Sequence, residues 1–426
     1  MRPLRRAVLP LTAQILFTLA QLSVTIAGSA TLHPDEWGRF ALLLSVFFIA
    51  MSLVRGFSSV PVLVFLSGDE HQARDAKRAS SVVGLIVAIP TSTAVAVTGV
   101  LLGAPGLGAL LGASMLTYTL YDCARAVELA AGRFGRIVLS DGVVLILLST
   151  ASVFSFLPGA APSIVLPLAM VVAYASGASV LAVGHRAQSP WTLRMFVAEY
   201  RADMPFLALD GVLLASVLGS FVIVIGAASS LTQAGAFRTC LALLIGPLQA
   251  VQNSLSPLAI RSLRQSAKAH GESPDGDTRR GTLRQPALFV TAGLASGAVY
   301  GLIVSVVAMA VVAEIELPIV ESALPYAFAG AVLVSALWAS SIFSSFMRYR
   351  RPNSELTAVR LVTLVASLSA FTALTVLLHA ELSAALLVGS IPLVLIPATH
   401  VLARWRPVSR VFSPPPSPRT ILSASS

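Results

Sequence analysis

Long apolar runs separated by short polar interruptions define the elements of this chain. A helix needs about 20 mainly apolar residues to cross the hydrocarbon of a bilayer, and twelve stretches read as such spans. The first six are Ala7–Ala30, Arg39–Leu66, Ser81–Leu102, Leu107–Tyr121, Ile137–Leu157 and Ile164–Gly184. The second six are Pro205–Ala227, Gln233–Ile260, Ala287–Ala313, Ala323–Phe346, Thr357–Leu378 and Ala384–Leu402. The fourth is short, and the second and eighth are long. The first follows Arg2, Arg5 and Arg6 as a signal peptide would begin. At about 25 residues it exceeds the apolar core of such a peptide, so it reads as a retained helix.

The polar interruptions are sorted by charge. Of the 29 Lys and Arg residues, 26 fall on one side: at the N-terminus, in the turns after the even-numbered spans, and in the C-terminal tail. The opposite side keeps Arg39 against Asp35, Glu36, Glu314, Glu316, Glu321 and Glu381. Cytoplasmic loops carry the excess of Lys and Arg, so both termini are expected in the cytoplasm of a multi-pass cell-membrane protein.

Composition excludes the soluble alternatives. The 426 residues are 56% hydrophobic and 11% charged, against about 25% charged in an ordinary soluble domain. A pI of 10.4 and a net charge of +10 could indicate a nucleic-acid partner. The one-sided placement of the bases explains them instead, and no nucleic acid is expected. Two cysteines, Cys123 and Cys240, and six scattered histidines form no metal-ligand spacing. No metal or other cofactor is expected.

A basic connector after the sixth span divides the chain into two lobes. The expected organisation is an N-terminal six-helix lobe over 1–186, a connector over 187–204 and a C-terminal lobe over 205–402. A basic Pro/Ser-rich tail follows over 403–426, and Ala269–Gly281 has a similar disorder-type composition. Gly38-Arg39-Phe40 and Gly235-Ala236-Phe237 occupy equivalent positions in the two halves, as a parallel repeat would place them. Within the connector, Trp191, Met195, Phe196 and Tyr200 fall near one helical face. That pattern fits an interfacial helix or a packed loop helix. The fold class is therefore all-α and membrane-integral: twelve transmembrane helices in two six-helix lobes.

Polar residues inside the spans are the candidates for chemistry. Arg55 and Arg238 are the two bases left within them. An arginine at the bilayer centre costs about 2.5–3.5 kcal/mol on insertion scales, so each should face protein or a wet cavity. By helical rise, Arg238 lies roughly 8 Å and Arg55 roughly 24 Å below the outer ends of their helices. Two readings stay open for both: an anion path, or a structural ion pair. Asp141 and Asp210 read as coupling-ion or proton sites, or as carboxylates held by a helix N-terminus. Asp122 and Arg125 read as a pair within the turn after the fourth span. Gln14, Gln21, Gln249, Gln252 and Asn253 could contact sugar hydroxyls or bond helices together.

Several stretches carry a family resemblance. They are HPDEWGRFALLL from His33, LVRGFSSVPVLVFL from Leu53, YDCARAVELAAGRFGRIVLSD from Tyr121, YRADMPFLALD from Tyr200 and GAFRTCLALLIGP from Gly235. They are spread over residues 30–260. They resemble the polysaccharide exporter and O-antigen flippase branch of the multidrug/oligosaccharidyl-lipid/polysaccharide (MOP) superfamily. The resemblance implies alternating access around a central cavity and flipping of a polyprenyl-pyrophosphate-linked saccharide. In that case Arg55 and Arg238 would engage the pyrophosphate, and the partners would be the lipid-linked saccharide, membrane lipids and a coupling ion. No enzymatic activity is expected.

Four alternatives were weighed against flipping. A multidrug antiporter of the same superfamily wants buried carboxylates, which the mid-membrane parts of these spans lack. A major-facilitator carrier should show a D-R-x-G core after its second helix, where this chain reads GDEHQARDAKR from Gly68. A membrane enzyme would need a carboxylate or histidine cluster, and His33, Asp35 and Glu36 read as a hairpin turn. The fourth alternative is a non-transporting scaffold for cell-envelope synthesis.

Overall fold

In the computed structural model, the described residues are 2–66, 69–183, 191–245, 325–340, 353–377 and 381–403, with parts of 291–306. Among them the chain is helical, without strands. The first helices are α1 (Arg2–Thr31), α2 (Pro34–Phe57), α3 (Ser59–Phe65), α4 (Glu70–Leu101) and α5 (Pro105–Ala130). Then come α6 (Phe134–Phe154), α7 (Pro162–Ala182), α8 (Leu193–Tyr200) and α9 (Met204–Ala228). Two shorter apolar helices follow, α10 (Leu231–Ile245) and α11 (Pro325–Ser340). Last are α12 (Asn353–Thr372), which runs into a π-helical turn at Ala373–Leu377, and α13 (Leu382–Ala403). Eight of the described helices are long and apolar enough to span a bilayer, so the chain is a multi-pass membrane protein. Most of the ninth expected span, Ala269–Gly281, the tail, and Gln249, Gln252 and Asn253 lie outside the described residues.

The helices follow the expected spans with three differences. Arg39–Leu66, expected as one helix, is broken at Ser58 into α2 and α3. Pro61 is the cause: it has no N–H for the Phe57 carbonyl, and its ring would clash with that carbonyl in a continuous helix. Ser58 turns its hydroxyl back to the Val54 carbonyl at 2.7 Å. The third span starts earlier, at Glu70, where the Asp69 carboxylate caps the Gln72 N–H at 3.0 Å. The fourth does not end at Tyr121. It continues to Ala130 and stops where Gly132 takes a positive φ of 74°.

Packing gives two main cores. One is centred on Trp37, Phe40, Phe47, Tyr118, Tyr121 and Tyr174 and belongs to the first half of the chain. The other, around Phe221, Phe237, Leu241 and Phe371, belongs to the second, with Leu42 of α2 reaching into it. In the first half α1 packs on α6, and in the second α9 packs on α12. Counted along the expected spans, these are the first and fifth helices of each half. Outward-facing Ile86, Ile89 and Val100 on α4 and Leu139, Ile146 and Val153 on α6 are exposed, as a lipid-facing surface requires.

Candidate functional site

The polar groups inside the helices gather toward the end of the bundle that carries the basic turns. Because α5 is long, Asp122, Arg125 and Glu128 lie within it and are buried, rather than in a turn. This overturns the expected Asp122–Arg125 pairing. Three residues apart on one helix, the two side chains take partners on different neighbours.

Arg125 bonds Asp141 of α6 through Nε at 3.2 Å to both carboxylate oxygens and through Nη2 at 3.0 Å. Nη2 also donates to Gln14 Oε1 of α1 at 3.0 Å, and the guanidinium lies 5.2 Å from the Phe17 ring centre. The Tyr121 hydroxyl donates to the other Asp141 oxygen. Asp141 is fully buried. It was open to a dipole-only reading, but it lies eight residues into α6, beyond the first turn where that dipole acts, and an arginine compensates it directly. Gln14 thus completes a charge cluster. Gln21 donates to the Tyr174 hydroxyl at 3.3 Å and joins α1 to α7.

Arg55 pairs with Asp122 at 3.1 Å, and Ser59 of α3 donates to the same carboxylate oxygen at 2.6 Å. The break at Ser58 is what brings Ser59 to this position. The Arg55 side chain remains 36% exposed, against 8% for Asp122, so the pair is anchored inside the protein and open on one side. Glu128, two turns further along α5, is fully buried in the field of Arg136, Lys77 and Arg74. Asp122 and Asp141 are thus buried in helices near the basic end of the bundle, each beside an arginine.

Among the described residues, the second half carries one such pair. Asp210 of α9 and Arg360 of α12 meet at 2.6 Å, and Arg360 also donates to the Asp210 carbonyl at 3.0 Å. Both side chains are buried. Arg360 lies inside the expected span Thr357–Leu378, although sequence reading counts it with the bases of the preceding turn. Pro352 followed by Asn353 and Ser354, helix-start residue types, signals that the helix begins earlier. Asp141 and Arg360 are each the eighth residue of their helix. The two halves therefore carry opposite charges at matching positions.

Between the halves, α2 packs along α9 and touches α10. A Cβ on Gly56 would lie 2.1 Å from Ala208 Cα, and one on Gly38 would lie 2.2 Å from the Leu231 carbonyl oxygen. Only glycine allows either approach. At the end opposite the basic turns, Trp37 Nε1 donates to the Gly235 carbonyl at 3.0 Å and to Thr239 Oγ1 at 3.1 Å. Thr232 donates to Asp35 there at 3.1 Å. The two glycine-containing echoes thus meet each other, and α2 and α10 are closed together at that end. Replacing Trp37 with phenylalanine keeps most of the ring and removes both bonds. At about 1 kcal/mol each, this is expected to lower the midpoint of thermal unfolding by several degrees, measured on the purified protein in detergent.

Arg238 stands on α10 in this seam, with its guanidinium 5.1 Å from the ring centre of Phe48 on α2. Its Nε is buried and has no hydrogen-bond partner among the described residues. Arg55 and Arg238 therefore have different surroundings, one held by a carboxylate and the other by an aromatic face. Phe48 and Arg55 are two turns apart on the same helix. Among the described residues no group of three His, Cys, Asp or Glu side chains could hold a metal ion.

Fold and site together define a polytopic helical membrane protein with internally neutralised charge pairs and an arginine in the seam between its halves. Solved structures that the chain is similar to include transporters. The chain is similar to an inward-facing multidrug resistance MATE family transporter of the MOP superfamily. That match has 13% identity, 93% of this chain and 96% of the other covered, and a TM-score of 0.64. An outward-facing MATE transporter of the same superfamily gives 15% identity, 94% and 93% coverage and a TM-score of 0.61. A eukaryotic MATE transporter gives 13%, 95% and 99%, and 0.55. No protein-family model and no curated protein matches the chain.

Proposed function

We propose that this protein is an alternating-access membrane transporter that exports an amphiphilic organic solute, as a multidrug-type antiporter does. The observation that carries this reading is the likeness, over more than nine-tenths of the chain, to both inward- and outward-facing transporters. The seam supports it. Glycine-mediated contacts between α2, α9 and α10 let the two halves approach closely along the seam. The neutralised pairs Arg125–Asp141 and Asp210–Arg360 hold each half together while the seam rearranges. The cytoplasmic placement of both termini belongs to the same proposal and is supported by the one-sided distribution of Lys and Arg. So does the division into lobes over 1–186 and 205–402, joined by 187–204.

Arg238 favours a second reading. Among the described residues the contact of Arg238 is the Phe48 face, and a cation so placed can engage an incoming anion without first displacing a carboxylate there. A polyprenyl-pyrophosphate head group is such an anion, with Arg55 two turns deeper. Efflux of a lipophilic cationic dye from cells producing the full chain tests the first reading. Export is expected above the vector control, with collapse when ion gradients are dissipated. Lipid extracts of a deletion strain test the second: accumulated polyprenyl-linked saccharide, rescued by the wild type, would replace antiport with flipping.

Arg238→Ala separates the two. Loss of one cation–π contact costs about 0.5–1 kcal/mol, so folding should be nearly unchanged. Under antiport, dye efflux is expected to be retained within about two-fold, a factor that corresponds to less than 1 kcal/mol. Under flipping, rescue of the lipid pool is expected to be lost.

A further inference from the structure

We propose that the connector helix α8 and its flanks form a binding face for anionic phospholipid, laid in the headgroup layer at the basic end of the bundle. Depth is the first observation. The inner face of α8, Phe196 and Tyr200, is buried in a cluster with Val62, Ala73, Ala76 and Val127. Phe65 stacks on Tyr200 at 5.1 Å, and the Trp191 backbone N–H donates to the Asp75 carbonyl at 2.9 Å. The helix is thereby pinned to the first turns of α4. The apolar span of α4 begins at Ser81, and Ala76 precedes it by about 8 Å and Ala73 by about 12 Å along the axis. A headgroup layer occupies about 5–8 Å on each side of the hydrocarbon. Trp191 and Tyr200, stacked at 6.0 Å, are the residue types enriched at that level.

The outer face of α8 is the second observation. Leu193 and Val197, one turn apart, are 39% and 38% exposed. Beside them on the helix surface stand Arg194 and Arg201, seven residues and so about two turns apart and both exposed. An aliphatic strip flanked by arginines lets the strip enter the acyl boundary while the guanidiniums rise to the phosphates. The acids nearby are Glu199, Asp203 and Asp75, all half-buried. Exposed Arg78 of α4 adds a further positive charge at the same end. The excess of exposed positive charge selects an anionic headgroup. Each arginine near such a surface corresponds to roughly a five-fold gain in retention.

The test uses the full chain with a spin label at Val197→Cys. Both native cysteines, Cys123 and Cys240, are buried, so the introduced thiol is the reactive one. Collision rates with oxygen and with a water-soluble nickel chelate are measured in vesicles of phosphatidylcholine alone and with roughly a quarter phosphatidylglycerol. The expected result is oxygen-dominated collision in the anionic vesicles. A several-fold shift toward nickel is expected in phosphatidylcholine, and again when Arg194→Gln and Arg201→Gln are added. Nickel-dominated collision in both vesicle types would overturn the proposal. So would depth indifferent to lipid charge and to both glutamines. Protection from both reagents would overturn it in favour of a protein partner on this face. Unchanged thermal unfolding of the glutamine variants in detergent serves as the folding control.

Discussion

Replacing Asp141 with leucine is expected to give the largest loss of stability of any single substitution in this protein. The carboxylate is fully buried and takes three bonds from Arg125. Removing it leaves a buried arginine without the carboxylate that takes its hydrogen bonds, though Gln14 and the Phe17 face remain. Breaking a buried pair by deleting one partner costs about 3–5 kcal/mol, whereas replacing both members with apolar residues is often neutral. The expected drop in thermal midpoint is roughly 5–15 °C. Adding Arg125→Met to the same chain should recover most of it. The check is unfolding of the purified protein, followed by the loss of the monodisperse peak on heating, across the double-mutant cycle. Two losses that simply add would mean that Arg125 and Asp141 do not act as a pair. Asp122→Asn is expected to be much milder, about 1 kcal/mol, because Arg55 is more than a third exposed and water can take up its charge.

Gly56→Leu is expected to abolish transport while leaving each half of the protein folded. A Cβ there would sit 2.1 Å from the Ala208 Cα, and backbone cannot rotate out of the way as a flexible side chain can. The helices α2 and α9 would have to separate by more than an ångström along a contact that runs through Ile49, Ser52, Gly211 and Gly219. Overpacking of this kind costs about 1–3 kcal/mol. That is too little to unfold two well-packed cores but enough to displace the seam between them. Export should fall by at least about ten-fold, the factor that a 1.4 kcal/mol change carries. Gly142→Leu, at a glycine whose Cβ would meet nothing within 4 Å, should not reduce it. Equal activity in both variants would show that the close approach at Gly56 has no part in the transport cycle.

Most of the helical frame was legible in the hydropathy of the chain, because each span must bury its backbone in lipid by itself. The interior charges were harder to read. Asp122, Arg125 and Glu128 look like turn residues in a hydropathy scan, since a buried, neutralised pair and a solvated one contribute the same letters. The available signal was local: from Tyr121 to Ala131 no glycine or proline interrupts good helix formers, and the first stop is Gly132. Partner choice was out of reach. Arg55 meets Asp122 across 67 residues, and Arg360 meets the Asp210 carbonyl across 150, so both pairings depend on which helices pack together. The echo around Gly38 and Gly235 did foreshadow structure, since those segments meet at Trp37. The family resemblance pointed to the fold that the chain shares with solved transporter structures, while its saccharide substrate rests on Arg238 and Arg55 alone.

Alternating access is tested most directly by distances across the seam at its two ends. Spin labels at Glu36→Cys and Gln233→Cys report the end closed by Trp37, and labels at Gly135→Cys and Ser354→Cys report the basic end. All four positions are exposed, and the native cysteines are buried. In lipid nanodiscs, two populations are expected at each end, changing in opposite senses when Trp37→Phe weakens the closed contact. A single unchanging distance at both ends, with and without that substitution, would contradict a transporter and leave a rigid membrane scaffold.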